Sequence, residues 1–365
     1  MRLIPIESVR PSTVLGKTLY DIDGRVLLKS GVVLKEKTIE KIKEINVLSI
    51  YIIDEYSQEE IEDIIKPEIR QKTISSIKEA FSNIERLNSA NGGKAEYSAK
   101  DQGYFNNISK MAEEIIDQLL NNKEVLLSLV DIRSMNNYMY SHSVNVAVIS
   151  LIIGIALKLP IRKLESLCMG ALIHDVGKAL IPKEILTKGT ELTAEETAIL
   201  NSHTKLGYKY LSDVYNLNSV SKLIVLQHHE RPDGKGYPDG LLDDKITDLS
   251  KIVRIADAYD KLSTDRPNQR AMFPSDVLEY LMSNAGKAFD YDIVNIFCRI
   301  VIPFPKGTLV KLSTEEVAVV EETITNFPLR PVVKIIDSSD PGRINLEINL
   351  IKEISIVIKS IIYNM

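Results

Sequence analysis

The sequence predicts a multidomain α+β chain: an all-α core over residues 104–303, a small N-terminal α+β unit and a small C-terminal β-rich unit. Three observations carry the prediction. Helical periodicity dominates from Tyr104 to Pro303. Short alternating apolar and polar runs mark the segments on either side. Pro303, Pro305 and Gly307 punctuate the second boundary. The expected division is 1–56, a helical linker 57–103, the core 104–303 and an extension 304–365.

In the N-terminal unit, TLYDIDGRVLL alternates around Asp23-Gly24, a signal for a tight hairpin turn. KEKTIEKIKEI then places Ile39, Ile42 and Ile45 at helical spacing, and LSIYII follows as a β-branched strand. From Ser57 the chain is polar and helical in pattern up to a break at Asn91-Gly92-Gly93. In the tail, TLVKL, EVAVVEE, PVVKIID and INLEINL alternate like short strands.

With 44% hydrophobic and 26% charged residues, the composition is that of an ordinary globular protein. A net charge of -5 gives no sign of a nucleic-acid-coating surface, which would be strongly basic. An anionic substrate would therefore need metal ions or a few placed Lys and Arg residues. The two cysteines, Cys168 and Cys298, sit in apolar stretches and read as reduced core thiols, which fits a reducing cytoplasm. No secretory h-region opens the chain. The most apolar run, Val144 to Leu157, falls short of the ~20 residues of a membrane helix. The expectation is a cytoplasmic chain with no membrane insertion and no nucleic acid polymer as partner.

All five histidines lie in the helical core. His142 opens the apolar helix VNVAVISLIIGIAL, and His174-Asp175 with Gly177-Lys178 ends another apolar stretch. His203 stands in HTKLG, and His228-His229-Glu230-Arg231 runs into Asp233-Gly234 and Gly236-Tyr237-Pro238. Asp257 and Asp260 lie one turn apart in KIVRIADAYDKLSTDRP. Imidazole and carboxylate are natural ligands for first-row divalent metals. Five histidines and two aspartates suffice for two ions sharing one carboxylate, and Asp175 is the natural bridge. Two ions about 3.5–4 Å apart can hold a hydroxide and clamp the attacking and leaving oxygens of a phosphoryl transfer. Each member has a plainer reading: His142 as a satisfied core histidine, His228-His229 as a surface pair, Asp257 or Asp260 as a partner of an arginine. The joint pattern is far more specific than any member.

These residues resemble the HD-GYP subgroup of the HD-domain metal-dependent phosphohydrolases, over most of the segment from Tyr104 to Pro303. The composite HHExxDGxGYP, His228 to Pro238, carries most of the specificity. The resemblance implies a metal-dependent phosphodiesterase that hydrolyses cyclic di-GMP to pGpG, in some members on to GMP. By motif position it implies metal ligation by His142, His174, Asp175, His203, His228, His229 and Asp257. His142, His174, Asp175 and Asp257 would serve one ion; Asp175, His203, His228 and His229 the other. Some members carry a Glu, associated with a third metal, where this chain has Tyr138; two divalent ions, iron or manganese, are therefore expected.

Lys178, one turn beyond Asp175, should face the same site and neutralise the scissile phosphate. Asp175 and Lys178 are thus the expected catalytic pair. Arg231 offers a guanidinium fork to a phosphate or a guanine edge, or else a salt bridge within its loop. Gly236 suits a tight loop, and Tyr237 either stacks on a base or pins that loop. Arg266 and Arg270 are further phosphate-binding candidates. The family often reads RPYRKA where this chain has Arg266-Pro-Asn268-Gln269-Arg270-Ala, so part of the usual contact set is missing. That departure leaves another cyclic dinucleotide, such as cyclic GMP-AMP, as an alternative substrate. A non-hydrolytic cyclic di-GMP-sensing module is the rival from another class, and a homodimer or a signalling-protein partner is compatible with each.

Overall fold

A computed structural model describes residues 1–21, 25–45, 47, 49–58, 63–90, 101–121, 127–128, 138–188, 191–214, 217–264, 271–324 and 326–363. The expected turn at Asp23-Gly24, the break at Asn91-Gly92-Gly93, and Arg266 and Arg270 lie outside them.

The N-terminal unit is a three-stranded antiparallel sheet ordered β1-β5-β2, from β1 (Arg2–Pro5), β2 (Val14–Leu15) and β5 (Ser49–Ile53). The hairpin strands β3 (Leu19–Tyr20) and β4 (Val26–Leu28) pair beside it. Helix α1 (Glu36–Glu44) covers the sheet with Ile39 and Ile42. Ile45 does not join them; the helix ends before it, and it is 42% exposed.

The segment expected as a helical linker contains α2 (Pro67–Ala90), a long helix whose Ile77, Phe81 and Ile84 are buried in the same hydrophobic cluster as the helices that follow. The core continues through α3 (Asp101–Asn121), α4 (Tyr138–Ala156), α5 (Ile161–Ile173) and the short α6 (Lys183–Leu186). It is completed by α7 (Ala194–Asn201), α8 (His203–Ser212), α9 (Ser219–Gln227), α10 (Asp248–Ser263), α11 (Pro274–Ser283) and α12 (Tyr291–Ile300). Val144, Ala147, Val148, Leu151 and Ile152 of α4 are all at most 1% exposed, so the helix is apolar because it is surrounded. The stretch Met139–Ala156 is long and apolar enough to cross a membrane by length and composition, longer than the run Val144–Leu157 suggested. Fully 78% of it is buried inside the chain, chiefly against α5 and α10.

Strand β6 (Leu127–Ser128) pairs in parallel with β7 (Val301–Ile302) where the core ends. The tail is a five-stranded sheet ordered β11-β10-β9-β8-β12. Its strands are β8 (Leu309–Leu312), β9 (Val317–Glu322), β10 (Val332–Asp337), β11 (Glu347–Asn349) and β12 (Ile358–Ile361). The first four match the alternating runs; β12 lies beyond them, outside the expected strands.

Candidate metal centre

The chemistry-bearing residues sit where helices begin, end or cross. His142 is in the second turn of α4. His174 caps α5, and Asp175 precedes the tight 3-10 turn Val176–Leu180. His203 opens α8, His228 and His229 follow the last residue of α9, and Asp257 lies midway along α10. Gly177 makes the convergence feasible. A Cβ there would lie 1.9 Å from the His203 carbonyl oxygen and 2.7 Å from the Gly207 nitrogen, so only glycine lets this turn meet α8.

Three imidazoles are aimed by one device. The Nδ1–H of His174, His203 and His228 each donates to a carbonyl three residues upstream, of Ala171, Leu200 and Val225, at 2.7, 2.7 and 2.9 Å. That leaves each Nε2 pointing into the centre. His142 differs, donating from Nδ1 to Asp260 Oδ2 at 2.6 Å. Fixing one ring nitrogen in this way sets the tautomer and orientation of a metal-facing imidazole.

Asp175 stands between two groups with its two oxygens turned to different sides. Its Oδ2 lies 3.4 Å from His174 Nε2 and 3.8 Å from His142 Nε2, while its Oδ1 lies 3.4 Å from His203 Nε2 and 3.8 Å from His228 Nε2. Asp257 Oδ1 completes the first group, 3.0 Å from His142 Nε2 and 3.7 Å from His174 Nε2. Asp175, His203, His228 and His229 form one set whose ligand atoms lie within 4.8 Å of one another; His142, His174 and Asp257 form another.

This arrangement fits metal ions. His174 Nε2 and Asp175 Oδ1 are buried with no hydrogen-bond partner, a costly state for polar atoms unless something else binds them. Burial, and then the neighbouring imidazoles, hold His228 well below the usual histidine range, and the same forces act on His229. Burial pushes His203 down to about 4. These rings are therefore neutral, as ligation requires. Burial also opposes a charge on His174, but Asp175 and Asp257 outweigh it and raise that ring to about 9. Asp175 and Asp257 stay ionised, well below the usual carboxylate range: burial works against them, and Lys178 and Lys261 respectively lead the groups that overcome it.

Lys178 faces the site as expected, donating to Asp175 Oδ2 at 2.6 Å. Arg231 takes the salt-bridge alternative, with Nε and Nη2 on the two oxygens of Asp233 at 2.9 and 2.7 Å. Tyr237 packs its ring on His229 at 4.7 Å between centroids and 30° between planes. Gly236 is required by close approach: a Cβ there would lie 2.4 Å from the Arg231 nitrogen.

Lys261 escapes the sequence reading, in which Glu230 stands only as a member of its motif. Lys261 pairs with Asp257 at 2.7 Å, one turn along α10, and helical spacing could have flagged it as it flagged Lys178. Buried Glu230 accepts the backbone N–H of Asp239 and of Leu241, at 2.7 and 2.9 Å, and so folds the loop back over the histidines. Asp260 orients His142 rather than pairing with an arginine. A groove of about 240 Å³ between α3, α5 and the start of α9 shares none of these residues.

A family model described as an HD domain matches residues 114–293, which contain every one of these side chains. That segment is an HD domain, and its motif from His228 to Pro238 is of the HD-GYP kind. The strand-rich tail, residues 309–364, matches a KOW domain associated with HD domains. Among curated proteins, the chain is 31% identical over 231 residues to a cyclic di-GMP phosphodiesterase of Pseudomonas aeruginosa, covering 63% of this chain and 56% of that one. It is 40% identical over 132 residues to the cyclic di-GMP phosphodiesterase response regulator RpfG of Xanthomonas campestris pv. campestris, covering 36% and 35%. A 3'3'-cGAMP-specific phosphodiesterase of Vibrio cholerae is 37% identical over 125 residues, covering 34% and 24%. The chain thus spans about half the length, or less, of these relatives. A solved HDG"Y"P protein from Bdellovibrio bacteriovorus aligns over 81% of this chain and 97% of its own, with 18% identity and a TM-score of 0.50, a likeness of fold.

Proposed function

We propose that this chain is a metal-dependent phosphodiesterase that hydrolyses cyclic di-GMP to pGpG at a centre of two divalent ions, iron or manganese. The observation that carries the reading is Asp175, whose two oxygens face two separate histidine groups. His142, His174, Asp175 and Asp257 would hold one ion; Asp175, His203, His228 and His229 the other. Such ions polarise a phosphoryl group and supply a water of lowered pKa. The chain's own residues bind and orient around them. Lys178 and Lys261, 20% and 23% exposed, stand between the buried carboxylates and solvent, where each ammonium would meet a phosphate oxygen. Tyr237 walls the centre beside His229, and Gly236 lets the loop close. Arg231 would reach a substrate only by leaving Asp233; Arg266 and Arg270 remain candidates for the second phosphate.

The curated relatives support this substrate class, as does the complete set of expected ligands. The division at 1–56, 57–103, 104–303 and 304–365 is proposed with it, as is a cytoplasmic setting, which the free thiols of Cys168 and Cys298 favour. A second reading keeps the chemistry and takes a cyclic GMP-AMP ring, favoured by the Vibrio cholerae relative named for it. The test is turnover of both dinucleotides by protein reconstituted with Mn2+ or, anaerobically, with Fe2+. Conversion of cyclic di-GMP is expected, abolished by Asp175→Ala together with uptake of both ions. Tight binding without turnover under either metal would instead mark a sensing module.

A further inference from the structure

Helix α2 precedes the catalytic core in sequence, yet one of its side chains is tied to a metal-facing histidine. Arg70 is 8% exposed, and its Nη1 donates to Asn145 Oδ1 at 2.6 Å. Asn145 Nδ2 donates to Asp260 Oδ1 at 2.8 Å, and Asp260 Oδ2 accepts Nδ1–H of His142 at 2.6 Å. Asn145, Asp260 and His142 are each at most 2% exposed. The relay thus runs from α2 through α4 and α10 back to α4 without reaching solvent.

Its polarity is set at the Arg70 end. A guanidinium can only donate, whereas a carboxamide can present either its oxygen or its nitrogen. With Arg70 in place, the Asn145 oxygen must face α2 and its NH2 must face Asp260. Asp260 then accepts on both oxygens and holds the Nδ1–H tautomer of His142, with Nε2 directed 3.0 Å from Asp257 Oδ1. Without the guanidinium the carboxamide oxygen loses a buried charged donor, Asn145 is held less firmly, and so is the Asp260 carboxylate that grips His142. We infer that Arg70 is a positioning residue for the His142–His174–Asp257 metal group, acting through Asn145 and Asp260, while the His203–His228–His229 group is independent of it. This rests on the two-ion reading above.

The test uses the full chain, stripped of metal by chelator and titrated calorimetrically with Mn2+ alone, with thermal unfolding recorded for each variant. Wild type should take up two ions, and His142→Ala identifies which step belongs to its group. Arg70→Met, two hydrogen bonds beyond the direct partner Asp260, should weaken that step up to roughly 10-fold, the lower end of the effect of losing a ligand's own outer partner, and leave the other step unchanged. Arg70→Lys, also a pure donor, should recover most of the loss. Should Arg70→Met fail to fold, Arg70→Gln, a shorter neutral side chain that is not an obligatory donor, is expected to weaken the same step. A lowered melting temperature with both steps intact would overturn the inference and leave Arg70 a packing residue. Absence of Mn2+ uptake by wild type would overturn the two-ion reading itself, and this inference with it.

Discussion

Asp175 and Glu316 are both buried carboxylates held well below their ordinary range, and their surroundings give them different jobs. Glu316, 6% exposed, is fully occupied: Arg343 donates from Nε and Nη2 at 2.7 and 3.2 Å, and Thr314 and Ser338 donate at 2.6 and 2.9 Å. Asp175 keeps one buried oxygen without a hydrogen-bond partner, and that vacancy in its bonding is what points to metal. The bond from Arg343, opposed by burial, brings Glu316 from 4.5 to about 2. Because the folded value is the depressed one, this carboxylate stabilises the fold above pH 4.5, and its contribution is lost as pH falls toward about 2. Glu316→Gln should therefore flatten the acid limb of the stability profile in that window, measured by denaturant midpoints across pH. For the lysines the readout is kinetic: Lys178→Met should lower kcat on cyclic di-GMP by roughly 100-fold, as loss of one donor to a developing charge does. Unchanged kcat would remove Lys178 from the proposed catalytic pair.

Among the elements, the crossing of the Val176–Leu180 turn on α8 is the one that sets the distance between Asp175 and His203. Gly177→Ala would force these segments apart, at about 1–3 kcal/mol for overpacking. The expected result is a lower melting temperature together with weakened Mn2+ binding, since His203 moves with α8. The loop after α9 depends on Glu230 in the same way. Glu230→Ala leaves the backbone N–H groups of Asp239 and Leu241 without their acceptor, and turnover should fall while both ions are retained. Loss of the ions as well would show that the loop holds His229 and not only the substrate face.

Among the described residues three hydrophobic clusters stand out: one in the N-terminal unit around Leu15, Leu34 and Ile50, a large one through α2 to α12, and one in the tail around Val310, Val333 and Ile335. Partly buried side chains bridge them. Leu329 packs against both the central and the tail cluster, and Tyr363 of the tail packs on the N-terminal one. Arg2 Nη1 also donates to the Ile362 carbonyl at 3.3 Å. Separate cores predict separable responses. Ile335→Ala, fully buried in the tail, should cost about 2–5 kcal/mol there. Mn2+ binding and turnover by the central domain should survive it, with limited proteolysis locating the loosened segment. Loss of metal binding would mean that the clusters act as one.

The candidate metal centre was legible because its expected ligands are rare residue types in a recognisable order. Five histidines and two aspartates in fixed order need no fold to be recognised, and the expected two groups come together in space. The alternating tail strands were legible for a similarly local reason, since a half-buried strand writes its two faces into a period of two. What sequence reading could not supply were the partners that depend on long-range packing. Arg70, Asn145 and Asp260 meet across 75 and 115 positions, and nothing local to any one of them announces the other two. Ile45 carries the right spacing for the core yet falls past the end of its helix. Arg231 had two chemically sound partners, and the geometry of its loop placed Asp233 within reach. The seven expected ligands were in the sequence; the relay that holds His142 in place exists only once α2, α4 and α10 have packed.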